Sequence, residues 1–204
     1  VAALCVVLTH VGLLSGFNFS HPELGAYFAR ADVGVSIFFV LSGFLLYRPF
    51  MVRRFAGQPQ GDVRRYARRR VLRIIPAYWF ALTIVGFVLK APGFADARSV
   101  VSQYLLIQIY DADRVVMGPI DQAWSLATEI SFYVFLPIWA WLMALGRRAP
   151  RAQLRAEIVM LTLLWVGCIA LNLGVIAAGL LGPRFAQFGM WLPFRIHEFV
   201  LGMG

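Results

Sequence analysis

The chain has 204 residues, of which 60% are hydrophobic and 14% are charged, and its formal net charge at pH 7 is +9. A soluble domain carries about 25% charged residues, so the composition argues against an ordinary soluble fold and indicates a membrane protein. The net charge does not indicate a nucleic-acid partner, because the arginines cluster between apolar segments. There we expect them to set membrane topology and to contact anionic headgroups of the lipid bilayer.

Six apolar runs follow one another along the chain and predict an all-α fold, a polytopic bundle of transmembrane helices. A helix that spans a bilayer needs about 20 apolar residues. The first five predicted spans are 1–16, 33–47, IIPAYWFALTIVGFVLK, 124–146 and 158–181, and a sixth begins near Met190. The stretch SVVSQYLLIQIY is too short to cross alone, so we interpret it as a re-entrant or interfacial helix. Because both ends lie in apolar runs, we expect residues 1–204 to be a single transmembrane domain truncated at both ends.

Two loops rich in arginine predict the orientation of the spans. The loop between spans two and three carries nine arginines against a single acid, Asp62. The loop between spans four and five carries four more arginines, which are Arg147, Arg148, Arg151 and Arg155. Under the positive-inside rule both loops are cytoplasmic. We therefore predict a multi-pass protein of the plasma (inner) membrane with a cytoplasmic N-terminus.

Ionisable side chains within the apolar runs are functional candidates, because a charge in hydrocarbon is unfavourable and is tolerated where it faces a cavity or a partner. The candidates occur at three places: His10, Glu129, and the group Arg195, His197 and Glu198. His10 and Glu129 each lie about six residues from the outer end of a span, hence roughly 9 Å deep at 1.5 Å per residue. We hypothesise that these two side chains meet at one polar cavity.

A polar stripe on span four supports a site there. Ser125, Glu129 and Tyr133 are spaced four residues apart, so they share one helical face. A histidine can act as a general base on a hydroxyl, and a carboxylate can orient it or stabilise its cation. His10 and Glu129 therefore fit group transfer to an alcohol. They fit proton-coupled transport equally well, and buried residues that only fix helix packing would show the same spacing.

The run RRYARRRVLRIIPAYW allows two interpretations. Its arginines mark the cytoplasmic end of span three, and we assign most of them to topology and lipid contacts. Arginine also binds phosphate through two parallel hydrogen bonds, so a basic surface here can hold the phosphates of a soluble donor such as coenzyme A. Arg70 and Arg73, next to the span, are the candidates for that role. Further along, Arg195 and Glu198 are three residues apart and can neutralise each other.

Five stretches, taken together, resemble the acyltransferase-3 family of multi-pass membrane O-acyltransferases. In chain order they are VAALCVVLTH, GVSIFFVLSGFLL, RRRVLRIIPAYW, WSLATEISFYVFLP and FRIHEFVLGMG. They occur in the family's order and cover nearly the whole chain. The resemblance implies that His10 is the catalytic histidine and that Glu129 is the acid of the tryptophan–serine–leucine motif, which begins with Trp124 and Ser125.

Further positions match the family or depart from it. Arg73 corresponds to the arginine before the isoleucine–proline pair, and Arg195 and Glu198 belong to the last motif. Ser36 stands where the family usually has an aspartate. Family members have about ten spans, so the six spans predicted here correspond to part of such a domain.

The resemblance also implies a reaction, in which an acyl group, commonly acetyl, passes from cytoplasmic acyl-CoA to a hydroxyl of a carbohydrate or lipid-linked acceptor of the cell envelope. Acyl-CoA is then a donor substrate, and no bound cofactor or metal is expected. The residues expected to contact substrate or donor are Arg70, Arg73, Trp124, Ser125, Tyr133, Arg195 and Glu198. Two alternatives stay open at this point. One is a transporter or flippase that uses His10 and Glu129 as a proton relay, and the other is a structural membrane subunit.

Overall fold

The computed structural model describes residues 1–111, 118–146, 149–180, 182 and 187–204. Arg147 and Arg148, two of the arginines behind the predicted orientation, lie outside these ranges. Throughout the described part the secondary structure consists of helices and turns, without a strand. The predicted all-α fold is therefore confirmed.

The α-helices of the described part are numbered here in chain order. They are α1 (Ala2–Leu14), α2 (Phe17–Ser20), α3 (Pro22–Arg30), α4 (Val33–Phe55), α5 (Val63–Thr83), α6 (Ala97–Tyr104), α7 (Ala123–Ala144), α8 (Pro150–Ala177) and α9 (Leu192–Met203). A π-helical turn, Ile84–Val88, extends α5, and a 3₁₀ turn, Gln108–Tyr110, follows α6.

Four helical stretches are long and apolar enough to cross a membrane. They are Glu23–Phe55, Val63–Val88, Ala123–Ala144 and Pro150–Ala177, and they correspond to predicted spans two to five. The helix in the first predicted span, α1, is apolar but has only 13 residues. The helix in the sixth, α9, has 12. With these lengths and compositions the chain is that of a polytopic membrane protein.

The arginine-rich loop between spans two and three is shorter than predicted. The helix of span two does not end at Tyr47 but continues to Phe55, and the next helix already begins at Val63. All nine of the loop's arginines therefore lie on helices, which is consistent with the high helix propensity of arginine. Asp62 fixes the start of α5, because its carboxylate accepts hydrogen bonds at 2.8 and 3.3 Å from two backbone N–H groups of the first turn.

An aromatic stack joins α4, α7 and α9 in the core. The ring of Phe199 stacks on those of Phe39 and Phe132, with centroids 4.5 and 4.1 Å apart, and all three side chains are buried. Stacked aromatic rings add to the stabilisation from burial alone. This stack holds α9 against the two helices that carry the polar residues described below.

Glycines allow α4 and α9 to cross in close contact. A Cβ atom on Gly43 would collide with the carbonyl oxygen of Phe199, and one on Gly202 would collide with that of Val40. Small residues at such crossings let the backbones of membrane helices approach. The close approach at Gly43 also fixes the position of the neighbouring Ser42.

The second core cluster lies at the end of the bundle away from the arginines. It contains Tyr78, Leu82, Leu106, Ile109, Ala123 and Ala127. The stretch SVVSQYLLIQIY forms most of α6 and the 3₁₀ turn, which pack here between α5 and the start of α7. The indole of Trp191 donates a hydrogen bond to the carbonyl of Ile109 at 2.7 Å. This bond ties the segment before α9 to the same end of the bundle.

Candidate active site

Glu129, on α7, is held by two hydroxyl groups. Its Oε1 atom accepts a hydrogen bond from Ser42 Oγ on α4 at 2.7 Å and another from the Tyr133 hydroxyl at 2.6 Å. The second bond joins the two residues whose spacing predicted a shared helical face. Among the described residues, no arginine, lysine or histidine forms an ion pair with Glu129. The carboxylate therefore has neutral partners only, in a half-buried position.

Arg70 lies beside this Glu129 cluster, which consists of Ser42, Glu129 and Tyr133. Its guanidinium carbon lies 5.9 Å from the ring centre of Tyr133 and 5.8 Å from that of Tyr66. Within the described chain, neither Arg70 Nε nor the Tyr66 hydroxyl has a hydrogen-bond partner, although both atoms are buried. Cation–π contacts hold the guanidinium in place without using its N–H donors, so an anionic ligand can still bind them.

Arg73, the other predicted phosphate ligand, is placed differently. It lies one turn further along α5, is exposed, and lines neither of the two cavities that border Arg70. The structure thus brings Arg70, but not Arg73, to the Glu129 cluster.

Two cavities meet at Arg70 and Tyr66. The first, called here the basic groove, has a volume of about 350 Å³. Its arginines come from α4 and α5 and are Arg53, Arg65, Arg69 and Arg70. The second, called the apolar cleft, has a volume of about 420 Å³, lies between α5 and α7, and includes Tyr133. The cavities share these two residues, so Arg70 and Tyr66 border both an arginine-rich and an apolar space.

His10 belongs to a separate polar site near the end of α1. Its Nδ1 atom lies 2.7 Å from the carbonyl oxygen of Val6. Because a carbonyl oxygen can only accept, Nδ1 carries a proton, and in the neutral ring Nε2 keeps the lone pair of a base. The charge of His10 interacts with that of Asp121, just before α7. Asp121 is exposed as a residue, but partial desolvation of its carboxyl raises the pKa, while a backbone hydrogen bond from Gly118 and the nearby His10 partly offset the rise.

The described contacts do not join His10 to Glu129. No hydrogen bond or ion pair links them in this part of the chain, and α1 packs mainly on α3 and α4. The carboxylate that interacts with His10 is Asp121, which the sequence analysis did not select. One feature of the sequence could have indicated Asp121. It lies two residues before the helix that carries Glu129, at the end that the predicted orientation shares with His10.

A third polar group connects α4, α7 and α9. Arg195 Nη1 donates to Glu198 Oε1 at 3.1 Å, so the predicted pairing of these two residues is confirmed. Ser36 Oγ donates to the same oxygen at 3.1 Å. The guanidinium of Arg195 also lies 5.4 Å from the centre of a Trp124 ring. Glu198 Oε2 is buried and has no hydrogen-bond partner among the described residues.

Ser125 and His197 complete the set of candidates. The hydroxyl of Ser125 donates to the carbonyl of Gln122 at 3.0 Å at the start of α7, and it makes no hydrogen bond to Glu129. His197 Nδ1 lies 3.2 Å from Cys168 Sγ, a contact between α9 and α8. As for metal binding, the ranges that the structure describes contain no cluster of three or more His, Cys, Asp or Glu side chains suited to a metal ion.

Fold and sites together define a polytopic helical membrane protein with polar side chains placed between its helices. A family model described as an acyltransferase domain matches residues 1–203. The chain belongs to the acyltransferase-3 family. This confirms the resemblance inferred from the five motifs, and with it the expectation of a domain of the acyltransferase class.

Several curated proteins are similar to the chain. Acyltransferase MdmB of Streptomyces mycarofaciens is 27% identical over 228 residues, which cover 99% of this chain and 53% of that protein. O-acetyltransferase OatA of Staphylococcus aureus is 28% identical over 118 residues, 52% of this chain and 19% of that protein. Nodulation protein 10 of Rhizobium leguminosarum bv. viciae is 24% identical over 187 residues, 80% of this chain and 48% of that protein.

The chain spans about half the length of MdmB and of nodulation protein 10. No solved structure matches the chain.

Proposed function

We propose that the protein is a membrane O-acyltransferase that moves an acyl group, acetyl in the simplest case, from cytoplasmic acyl-CoA to a hydroxyl of a carbohydrate or other cell-envelope acceptor. Membership of the acyltransferase-3 family and the similarity to an O-acetyltransferase support the type of reaction. The observation that carries the proposal is the position of Arg70, which lines the basic groove and lies against the ring of Tyr133, the tyrosine that donates to Glu129.

The basic groove is suited to the donor. Acyl-CoA carries several phosphate groups, and arginine side chains bind phosphate with two parallel hydrogen bonds. The groove lies at the arginine-rich end of the bundle, which the positive-inside rule assigns to the cytoplasm. In this orientation the N-terminus is cytoplasmic and the protein resides in the plasma membrane. The donor then enters from the compartment in which acyl-CoA is made.

Arg70 and Tyr133 lead from the groove towards Glu129. Tyr133 stands one helical turn, about 5–6 Å, from Glu129 along α7. The Arg70 cation lies against the Tyr133 ring, so an anionic donor held by Arg70 is placed next to the Glu129 cluster. We assign Glu129 to the binding and orientation of the reacting groups.

His10 supplies the base. Its Nε2 atom takes the proton of the acceptor hydroxyl as the hydroxyl oxygen attacks the thioester carbonyl carbon. The tetrahedral intermediate collapses, the carbon–sulfur bond breaks, and the thiolate of coenzyme A leaves and receives the proton. Asp121 stabilises the imidazolium that exists between these two steps, because its carboxylate interacts with the charge of His10.

Acyl transfer from radiolabelled acetyl-CoA in membranes that contain the protein tests the proposal. We expect His10→Ala to lower the rate by about 10²–10⁴-fold, the usual contribution of a positioned general base. His21→Ala is the matched control, because His21 is an exposed histidine of the segment between α2 and α3. The product should be an O-linked, alkali-labile ester.

Three outcomes are decisive at equal protein level. Loss of label with His10→Ala and retention with His21→Ala supports the enzyme and the role of His10. Equal labelling by both variants removes His10 from the chemistry. If neither variant nor the wild type transfers acyl groups while solute flux across vesicles depends on His10, the protein is a transporter.

A further inference from the structure

A buried charged cluster lies near the basic groove but outside the site described above. Glu157 on α8 forms an ion pair with Arg54 on α4, and the two side chains are 1% and 7% exposed. The Tyr47 hydroxyl donates to Glu157 Oε2, and Gln153 Nε2 donates to Glu157 Oε1 at 3.1 Å. The carboxylate therefore has three partners, one of them a full positive charge.

This cluster joins three helices. Arg54 Nη2 donates to the carbonyl of Ala140 on α7 at 3.0 Å, and Gln153 Nε2 also lies 3.3 Å from the carbonyl of Met143. Elsewhere α8 packs mainly against α9. A buried ion pair is weak evidence for stability, because desolvation of two charges can exceed their attraction. Its position between three helices therefore suggests a role in addition to stability.

The residue next to Arg54 indicates that role. Arg53 lines the basic groove, and its guanidinium carbon lies 3.6 Å from where a Cβ of Gly61 would be. Successive residues of a helix point about 100° apart, so contacts that hold the turn through Arg54 also set the side of the helix from which Arg53 projects. Arg54 is held by Glu157 on the core side, while Arg53 is directed to the groove.

The backbone of the same turn is fixed as well. The N–H of Gly57, which has φ of +66°, donates to the carbonyl of Arg54 at 3.1 Å, and the N–H of Gln58 donates to that of Arg53 at 2.9 Å. This pair of bonds is a Schellman motif, which ends α4. It turns the chain back towards Gly61 and the start of α5, so the groove wall depends on the last turn of α4.

We propose that Glu157, acting through Arg54, is a positioning residue that holds Arg53 in the basic groove for the phosphates of the acyl donor. The inference rests on the proposed function, because it takes the donor to be acyl-CoA. Glu157 touches neither donor nor acceptor. It fixes the last turn of α4, and the turn presents Arg53 opposite Arg65 and Arg69.

Steady-state kinetics of Glu157→Gln in membranes, with acetyl-CoA as the varied substrate, tests the inference. The variant keeps the size of the side chain and removes its charge. We expect the KM for acetyl-CoA to rise about tenfold with kcat changed less than about twofold, the pattern of one lost charge-assisted contact to phosphate. Glu23→Gln, a change at an exposed glutamate of α3, is the matched control and should leave both constants unchanged.

A double-mutant cycle with Arg53→Ala separates positioning from a general loss of structure. If Glu157 acts through Arg53, each single variant raises the donor KM and the double variant raises it no further. Additive increases overturn the inference, as does an unchanged KM in Glu157→Gln.

A second design covers the case in which Glu157→Gln folds poorly. Replacing the pair together, Arg54→Met with Glu157→Met, removes both charges and keeps the volume, a change that buried pairs often tolerate. We expect this variant to melt at the wild-type temperature and still show the raised donor KM. A wild-type KM in the stable double variant overturns the inference. Absence of transfer by the wild type overturns the proposed function itself, whereas transfer with unaltered donor KM in both designs overturns only the role of Glu157.

Discussion

Two glutamates of the helical bundle, Glu129 and Glu157, have opposite surroundings. Glu157 is fully buried, and its partners include the Arg54 cation. Glu129 is half-buried and accepts hydrogen bonds only from the hydroxyls of Ser42 and Tyr133 among the described residues. The carboxylate of Glu157 is held by a counter-charge, whereas that of Glu129 is held by neutral hydroxyls that can exchange for other partners.

An intramembrane acid is a functional candidate by default. We place Glu129 next to the reacting groups and Glu157 outside them, as a positioning residue. Tyr133, a partner of Glu129, lines the apolar cleft and lies against Arg70. Glu157, in contrast, borders a separate cavity of about 420 Å³ and is paired with Arg54. Removal of the side chain should therefore mainly affect stability at Glu157 and mainly affect catalysis at Glu129.

The largest effect is expected for Glu157→Ala. Removing one partner of a buried ion pair leaves Arg54 buried without a counter-charge, which should lower the free energy of unfolding by about 3–5 kcal/mol. Thermal unfolding in detergent measures this loss, with the exposed Glu23→Ala as control. A melting temperature equal to that of the wild type would show that the pair is not structural and would remove the contrast.

Glu129→Gln should have the converse effect. The amide keeps the size of the side chain and one acceptor oxygen for Ser42, so we expect the melting temperature to stay close to that of the wild type. Loss of the charge should reduce acyl transfer by about a hundredfold, the size of effect that misplaced reacting groups can cause. Acyl transfer is measured in membranes, and thermal unfolding is measured in detergent on protein from the same membranes. A large drop in melting temperature with little change in transfer rate would show that Glu129, like Glu157, mainly stabilises the fold.

Asp121→Asn tests the carboxylate that interacts with His10. The loss of one charge beside the imidazolium should lower the transfer rate about tenfold near neutral pH, the equivalent of 1.36 kcal/mol. Above its pKa the wild-type aspartate is charged and differs from asparagine, and below that pKa both side chains are neutral. The ratio of the two rates should thus approach one as the pH falls.

Partial desolvation raises the pKa of Asp121, so this convergence should occur at a higher pH than an ordinary aspartate would give. Rates of both proteins measured across the acid range check the prediction. A ratio that does not change with pH would show that the carboxylate charge does not act on His10.

The fold was largely predictable from the sequence. Apolar runs of membrane-spanning length, separated by charged loops, predicted the helices that include 123–144 and 150–177. The end of α4 was misplaced, since the prediction ended the span at Tyr47, where the uninterrupted apolar run ends, whereas backbone hydrogen bonds continue to Phe55. Hydrophobicity locates the membrane, but helix propensity and capping decide where a helix ends.

The candidate site was predictable only where it lies on one helix. The contact between Glu129 and Tyr133 follows from helical periodicity alone. The bond from Ser42 to Glu129 joins residues 87 positions apart, and periodicity does not say which helices are neighbours. For the same reason Asp121 was not connected with His10. Glu157 was overlooked because the predicted span began one residue after it.

Ser42→Ala should have the smallest effect on transfer rate. It tests whether the hydrogen bond from Ser42 contributes to the function of Glu129. The variant removes one of two donors to the carboxylate and leaves the intrahelical bond from Tyr133. Because a single hydrogen bond contributes about 0.5–1.5 kcal/mol, we expect a decrease in transfer rate of a few-fold and a similarly small loss of stability. Ser131→Ala is the matched control, since the Ser131 hydroxyl bonds a carbonyl of its own helix and the Tyr110 hydroxyl, and neither bond involves Glu129.

Comparing the loss of transfer rate with the loss of melting temperature distinguishes two roles for Ser42. If Ser42 orients Glu129 for catalysis, the rate falls in Ser42→Ala more than in Ser131→Ala while the melting temperatures of the two variants agree. If instead Ser42→Ala lowers the melting temperature and leaves the rate unchanged, the hydroxyl bond only holds α4 to α7. Glu129 would then be, like Glu157, a carboxylate that fastens helices, and the position of Arg70 beside it would no longer support the proposed function.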